Sequence, residues 1–331
     1  MSIDTSDGHH LTICTHNGQF HCDEALGCYL LKILHPRARI LRSRDPKVYE
    51  KCDIVLDVGN VYDPKCNRYD HHQQSFTETM SSLSSDIKSS VRLSSAGLIY
   101  HHFGRLILEK MTGETNQRAL DYLYRQLYYS LIQEIDGIDN GIPQFDSEPL
   151  YNINSHISAR VTGLGIPWNQ AGNQDEEARF NRAMDLVGEE FRESVRIILE
   201  QQYPAREVVQ QAIEDRFNLH QSGEIIELKR HCPWKSHFFE LEREGQVQPQ
   251  IKYVIFDGGD SFRVQCVSIT SQSHDCRKFL PKSWRGLRDE ILSKEVGVEG
   301  CIFAHFNGFI GGHKTRDGAI QMAIKSLEHI S

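Results

Sequence analysis

The sequence predicts an α/β protein: a domain with a mainly parallel sheet, a helical connector, and a smaller α+β domain at the end of the chain. Three observations predict it. Short β-branched runs alternate with helix-period stretches through the first half, and Ile54, Val55 and Leu56 form a continuous apolar run of the kind found in strands buried on both faces. Beyond residue 220 β-rich runs return, after a charged amphipathic tract. The boundaries expected are 1–172 for the first domain, 173–220 for the connector and 221–331 for the second domain.

The elements follow in order. Leu11 to Thr15 (LTICT) is a β-branched run, and DEALGCYLLKIL then places Ala25, Leu26, Tyr29, Leu30, Ile33 and Leu34 at helical spacing. ARIL at 38–41 and the run within CDIVLDVG are the next strands, and alternation of this kind favours parallel pairing. SSAGLIYHHFGRLILEKM opens on capping serines, and NQRALDYLYRQLYYSLIQEID aligns Leu120, Leu123, Leu127, Leu131 and Ile135 on one stripe. The tract from Asn173 is charged and interrupted by Pro204, as expected of connecting helices with solvated faces. KYVIFDGGDSFRVQCVSI reads as a hairpin about DGGD, and the last helix carries Ile320, Ala323, Ile324 and Leu327 on one face.

With 331 residues, 39% of them apolar, the chain can bury a sizeable core, and its net charge of −8 argues against bulk electrostatic binding of nucleic acid while leaving room for a local basic groove. No run of apolar residues is long enough to span a membrane, and the polar start MSIDTSDGHH resembles neither a signal nor a transit sequence. The nine cysteines are scattered, without any C-x-x-C pair, which fits a reducing compartment. The expected location is the cytoplasm, with the nucleus as alternative and no mitochondrial targeting visible; oligomeric state is left open.

Ligands gather at the carboxyl ends of strands in open α/β sheets. His16 follows the first strand, with His21 and Asp23 in its loop; Asp57 ends DIVLD; Asp70, His71 and His72 follow a third short strand-like segment; and Asp136 and Asp139 end a long helix. Each alone is an ordinary loop residue, but together they would line one rim. Mixed carboxylate and imidazole donors suit Mn2+, or Mg2+ where oxygen dominates, and two ions sharing a carboxylate could activate a water for attack on phosphorus. Asp57, on the rigid strand end, is the expected bridge.

Taken together, HNGQFHCDE, VLDVG, YDHH and DGIDNG resemble the successive motifs of the DHH phosphoesterase superfamily. The likeness is closer to the melanocyte-proliferating-gene family of metal-dependent 3′-5′ exonucleases, through THNGQFHCDEALGCYLL, YDHHQ, RLSSAGLIY, IDGIDNGI, CPWKSHFFEL and SWRGLRDE, and runs from about Thr15 to Met322. The resemblance implies hydrolysis of phosphodiester bonds in single-stranded nucleic acid, RNA favoured, with Mn2+ or Mg2+ as cofactor, in two ions. It implies His16, His21, Asp23, Asp57, His71 and Asp136 as ligands, with Asp139 the alternative to Asp136. His21 departs from the superfamily, whose first motif has an aspartate there and is one residue shorter. Asp70 is expected to orient His71, and His72 to face the leaving group or a phosphate oxygen.

HFNGFIGGHKTRDGAI similarly resembles the glycine-rich substrate motif of DHH-associated domains, which implies a phosphate cradle of Gly311, Gly312, His313, Lys314 and Arg316. Arg285 and Arg288, with Lys282 and Trp284, form a basic and aromatic patch suited to a nucleic-acid strand, although Trp284 could equally be core. The same metal set would also serve a small-molecule phosphatase or pyrophosphatase, and the histidine at position 21 leaves a non-catalytic metal- or nucleotide-binding scaffold as a third reading. His101 and His102 are expected to be helix-surface or core histidines.

Overall fold

The computed structural model describes residues 10–169, 175–245, 247–271 and 273–329. Residues 1–9 of the polar start and the expected boundary at 172/173 lie outside the described residues. The chain forms two compact units, Met1–Leu199 and Glu200–Ser331.

In the first unit β1 (Thr12–Thr15), α1 (Cys22–Leu34), β2 (Arg39–Arg42), α2 (Pro46–Tyr49), β3 (Ile54–Leu56), β4 (Tyr62–Asp63) and β5 (Arg68–Tyr69) build a sheet in the order β2-β1-β3-β5-β4. All neighbours pair in parallel except β4 with β5. The strands that carry His16, Asp57 and Asp70 at their ends therefore run the same way. Burial of Ile13, Ile54, Val55 and Leu56 accounts for their continuous apolar character.

Helices α3 (Met80–Leu83), α4 (Ser95–Thr112), α5 (Gln117–Leu127), α6 (Gln133–Asp139), α7 (Ile157–Thr162) and α8 (Glu176–Ile197) complete this unit. The predicted stripe from Leu120 to Ile135 is buried, but its helix contains a π turn at Tyr128–Ile132 between α5 and α6. The charged tract expected as a connector is divided between the units: α8 packs on α1, where the Tyr29 and Phe191 rings meet edge-on at 6.4 Å. Phe180, Ala183, Val187 and Phe191 give α8 a buried apolar face as well as a solvated one.

The second unit contains α9 (Ala205–Glu214), α10 (Arg216–Leu219), β6 (Ile225–Leu228), α11 (Lys235–Gly245), β7 (Tyr253–Asp257), β8 (Phe262–Cys266), α12 (Asp289–Val296), β9 (Cys301–Ala304), β10 (Ile310–His313) and α13 (Arg316–Glu328). Its sheet, ordered β6-β7-β8-β10-β9, is antiparallel except for β6 with β7. Alternate strand residues enter two cores: Ile225, Tyr253, Ile255 and Val264 pack with Ala319, Met322 and Ala323 of α13, whereas Ile226, Val254 and Phe256 pack with Val209 and Phe238. The DGGD segment turns β7 into β8, closed by the Gly258 amide donating to the Ser261 carbonyl at 2.8 Å. Trp284 and Trp234 are buried core residues.

Candidate metal centre

Parallel β1, β3 and β5 deliver His16, Asp57 and the Asp70–His72 segment to one edge of the first sheet, and α1 begins beside that edge. Asp57 occupies the middle. Its Oδ2 is 3.2 Å from His16 Nε2 and its Oδ1 is 3.2 Å from His71 Nε2. Its backbone is left-handed, with φ of 57°, an uncommon conformation that aspartate tolerates better than most residues.

Other groups crowd around it. His16 Nε2 also lies 3.2 Å from Glu24 Oε1, and His71 Nε2 lies 3.2 Å from Asp139 Oδ2 and 3.8 Å from Asp23 Oδ2. Three sets of donor atoms lie within 4.8 Å of one another: His16, His21, Glu24 and Asp57; Asp57, His71 and His72; and His21, Asp23 and Asp139. Asp57 and His21 each belong to two of them.

These acids are buried together, and their protonation reflects it. Burial pushes Glu24 up to about 8 against the His16 hydrogen bond, and Asp139 up to about 9, with Asp23 adding like-charge repulsion. Burial opposes charge on His16 and His71, yet hydrogen bonds to Asp57, and for His16 to Glu24, outweigh it and raise them to about 10 and about 9. Burial likewise opposes charge on Asp57, but His16 and His71 hold its carboxyl well below the usual range. Imidazolium groups thus balance the anionic charge, a task a divalent cation performs more completely.

The donors fit such a cation. Asp23 Oδ1 and His71 Nδ1 are buried without a hydrogen-bond partner, so the cluster does not satisfy itself. Oxygen and imidazole nitrogen without thiolate suit Mn2+ or Mg2+, and burial raises the thiol pKa of neighbouring Cys22, keeping it protonated.

His16, His21, Asp23, Asp57, His71 and His72 are thus brought together at one rim. Asp136 is not. Its buried Oδ1 accepts from the Ser94 amide at 2.9 Å, the Ser94 hydroxyl at 2.7 Å and the Gly97 amide at 3.1 Å, so it caps α4 instead. A Cβ on Gly97 would lie 2.4 Å from that carboxylate, which is why glycine stands there. Asp139, at the end of α6, reaches the rim in its place. Asp70 contacts His72 where His71 was expected: its Oδ1 is 2.7 Å from His72 Nδ1, and its carboxylate also accepts the Asn60 and His72 amides. Glu24 joins the site without having been expected there. Its signal in the sequence is an acid in the first helical turn directly after Asp23, where α1 points both carboxylates at the strand edge.

The predicted substrate residues lie in the second unit. Gly311 and Gly312 are inside β10, between β8 and β9, and not in an open turn. Added Cβ atoms would meet Met322 Cε at 2.7 Å and the Phe303 ring at 2.6 Å respectively, so the glycines serve close packing of the sheet. His313 is buried, its Nε2 2.9 Å from the Glu299 carbonyl and its Nδ1 accepting from the Thr315 amide at 3.0 Å. Arg316 is paired with Glu227 at 2.5 and 2.7 Å. Arg285 Nε donates to the Leu280 carbonyl at 3.0 Å, while Lys314 and Arg288 are exposed, the latter over the Phe303 ring at 5.9 Å.

The model of the MYG1 exonuclease family, described as an uncharacterised protein family (UPF0160), matches residues 12–327. The chain belongs to that family. It is 48% identical over 321 residues to a mouse protein named MYG1 exonuclease, covering 95% of this chain and 84% of that one. A Dictyostelium discoideum MYG1 protein is 48% identical with 96% of each chain covered, and one from Saccharomyces cerevisiae is 41% identical with 95% of each covered. Among solved structures, manganese-bound exonuclease RecJ matches with a TM-score of 0.25 and 12% identity over 96% of this chain and 89% of that chain. RecJ of Thermus thermophilus with Mn2+ matches with a TM-score of 0.22 and 13% identity, over 96% of this chain and 52% of that one.

Proposed function

We propose that this family member is a metal-dependent exonuclease that hydrolyses phosphodiester bonds from the 3′ end of single-stranded nucleic acid, preferentially RNA. One observation carries the reading: four carboxylates and four histidines converge on one sheet edge, with buried donor atoms left unsatisfied. The names of relatives covering nearly the whole chain support the exonuclease class.

His16, Asp57, His71 and the Asp23–Asp139 pair are the candidate ligands, with His21 and Glu24 completing the set. A pair of divalent ions bound there, Mn2+ or Mg2+, would supply Lewis-acid polarisation of a phosphoryl oxygen and a more acidic water. Asp57 would hold the centre together, since each of its oxygens already faces a different histidine. His72, 54% exposed at the rim, has its pKa raised by the Asp70 hydrogen bond, which suits it to donate to a phosphate oxygen or a departing alkoxide. Exposed Arg288 and Lys314 are the candidate contacts of the second unit to the strand. Cytoplasmic residence, with the nucleus as alternative, completes the proposal.

A 5′-labelled oligoribonucleotide incubated with the protein and Mn2+ tests it. A ladder shortening from the 3′ end is expected, abolished by chelation. Release of phosphate from pyrophosphate without any ladder would replace the reading with a small-molecule phosphatase, and bound metal without turnover would make the protein a scaffold.

A further inference from the structure

The segment Ser94–Gly97 (SSAG) opens α4, and its two serines do not cap their own helix. Both hydroxyls donate instead to carboxylates from other helices. Ser94 holds Asp136 of α6, while Ser95 donates its hydroxyl to Asp23 Oδ2 of α1 at 2.7 Å and its amide to the same oxygen at 3.3 Å. Ser95 and Asp23 are fully buried. Two donors from one residue thus occupy a single oxygen of Asp23, and the other, Oδ1, is buried with no partner. Asp136 Oδ2 is likewise buried without a partner, so the difference lies in the company: Asp23 stands within ligand distance of His21 and Asp139, whereas Asp136 belongs to no such set among the described residues.

We propose that Ser95 is a positioning residue of the metal centre: its hydroxyl fixes the rotation of the Asp23 carboxylate, so that one oxygen is held by α4 and the other is free for a divalent cation. This rests on the metal-dependent reading above and adds a residue to it. A carboxylate held at one oxygen loses less torsional freedom on binding a metal than one turning freely, and supporting hydrogen bonds of this kind are worth about 10- to 100-fold in metal affinity. Ser94 provides the internal contrast, with the same donor type at the same helix start, directed at an acid outside the ligand sets.

The test is calorimetric titration of the metal-free full chain with Mn2+, together with thermal unfolding, for the wild type, Ser95→Ala and Ser94→Ala. Ser95→Ala should weaken Mn2+ binding about 10- to 100-fold while cleavage of the labelled oligoribonucleotide recovers at high Mn2+. Ser94→Ala should lower the melting temperature and leave Mn2+ affinity within about twofold. If Ser95→Ala impairs folding, nearly isosteric Ser95→Cys, with its weak donor, should show the same loss of affinity. Wild-type Mn2+ affinity in folded Ser95→Ala or Ser95→Cys overturns the proposal, and so does an equal loss in Ser94→Ala, which would make the effect a general one of the helix start. A wild type that binds Mn2+ without degrading RNA removes the exonuclease reading alone, and the affinities still decide the role of Ser95.

Discussion

The rim of the first sheet and strand β10 of the second both assemble histidine with residues whose pattern suggested ligand binding, yet their surroundings are opposite. At the rim, buried Asp23 Oδ1 and His71 Nδ1 lack hydrogen-bond partners and several acids are pressed together. In β10, His313 has a partner on each ring nitrogen, Arg316 is paired with Glu227, and both glycines are covered by Met322 and Phe303. Open valences on several converging acids and histidines mark a place for a cation, whereas a cluster whose members pair with one another and with the backbone is part of the fold. Substitutions at the rim should therefore act first on metal binding and chemistry, and substitutions in β10 first on stability.

The largest effect is expected from Asp57→Asn. The amide keeps the volume but loses the charge and one acceptor oxygen of a group that faces both His16 and His71. Mn2+-dependent cleavage should fall by at least about 100-fold, more than a supporting residue costs, in a variant that still folds, although the metal-free protein loses the support that Asp57 gives to charged His16 and His71. Full activity in the folded variant would place the chemistry elsewhere.

Asp139→Asn and Asp136→Ala sharpen the contrast within one helix. Asp139→Asn should weaken Mn2+ binding without loss of stability, since it relieves repulsion with Asp23. Asp136→Ala removes the acceptor for Ser94 and Gly97 and should cost about 0.5–2 kcal/mol, as loss of a helix cap does, while metal affinity holds. Calorimetry and chemical denaturation on both variants separate the outcomes; the reverse pattern would restore Asp136 as the ligand.

That distinction marks how far the sequence could be read. The alternation of strands, the apolar run at Ile54–Leu56 and the parallel strand ends were legible because backbone periodicity and burial write themselves into residue order. So was the company of His16, Asp57 and His71. Asp136 and Asp139 lie on one helix face about 4.5 Å apart along the axis, and only the placement of α6 against α4 decides which reaches the rim. The Gly-Gly-His run was legible as a place needing small residues, but an open turn and a tightly covered strand ask for glycine alike. Met322 and Phe303, distant or separated in sequence, decide between them.

Gly312→Val carries the comparison to the second unit. A Cβ there would meet the Phe303 ring at 2.6 Å, and overpacking of this kind costs about 1–3 kcal/mol. Chemical denaturation should show the loss, and Mn2+ affinity at the rim should be unchanged. A stable variant with weakened oligonucleotide binding would instead give β10 a direct role in holding substrate.

The smallest effect separates two kinds of histidine within the first unit. His102 lies against Tyr62 and Tyr69, its Nε2 2.9 Å from the Tyr62 hydroxyl, with His101 adjacent and, among the described residues, no carboxylate in its ring and hydrogen-bond contacts. Burial, aided by His101, lowers its pKa to about 4. The unfolded chain, with histidine near 6.5, therefore binds more protons than the folded one between these values. Stability should rise with pH through this window and fall away as the medium is acidified from about 6.5 toward 4. His16 has the opposite sign: held charged by Asp57 and Glu24, it contributes below its unfolded value and loses that contribution as pH rises through about 10. Denaturation of chelator-treated His102→Gln from pH 4 to 7 should show a shallower acid slope than the wild type, because the amide can still bond Tyr62 but takes up no proton. An unchanged slope would mean that His102 titrates alike in both states, and that the aromatic cluster does not hold it neutral.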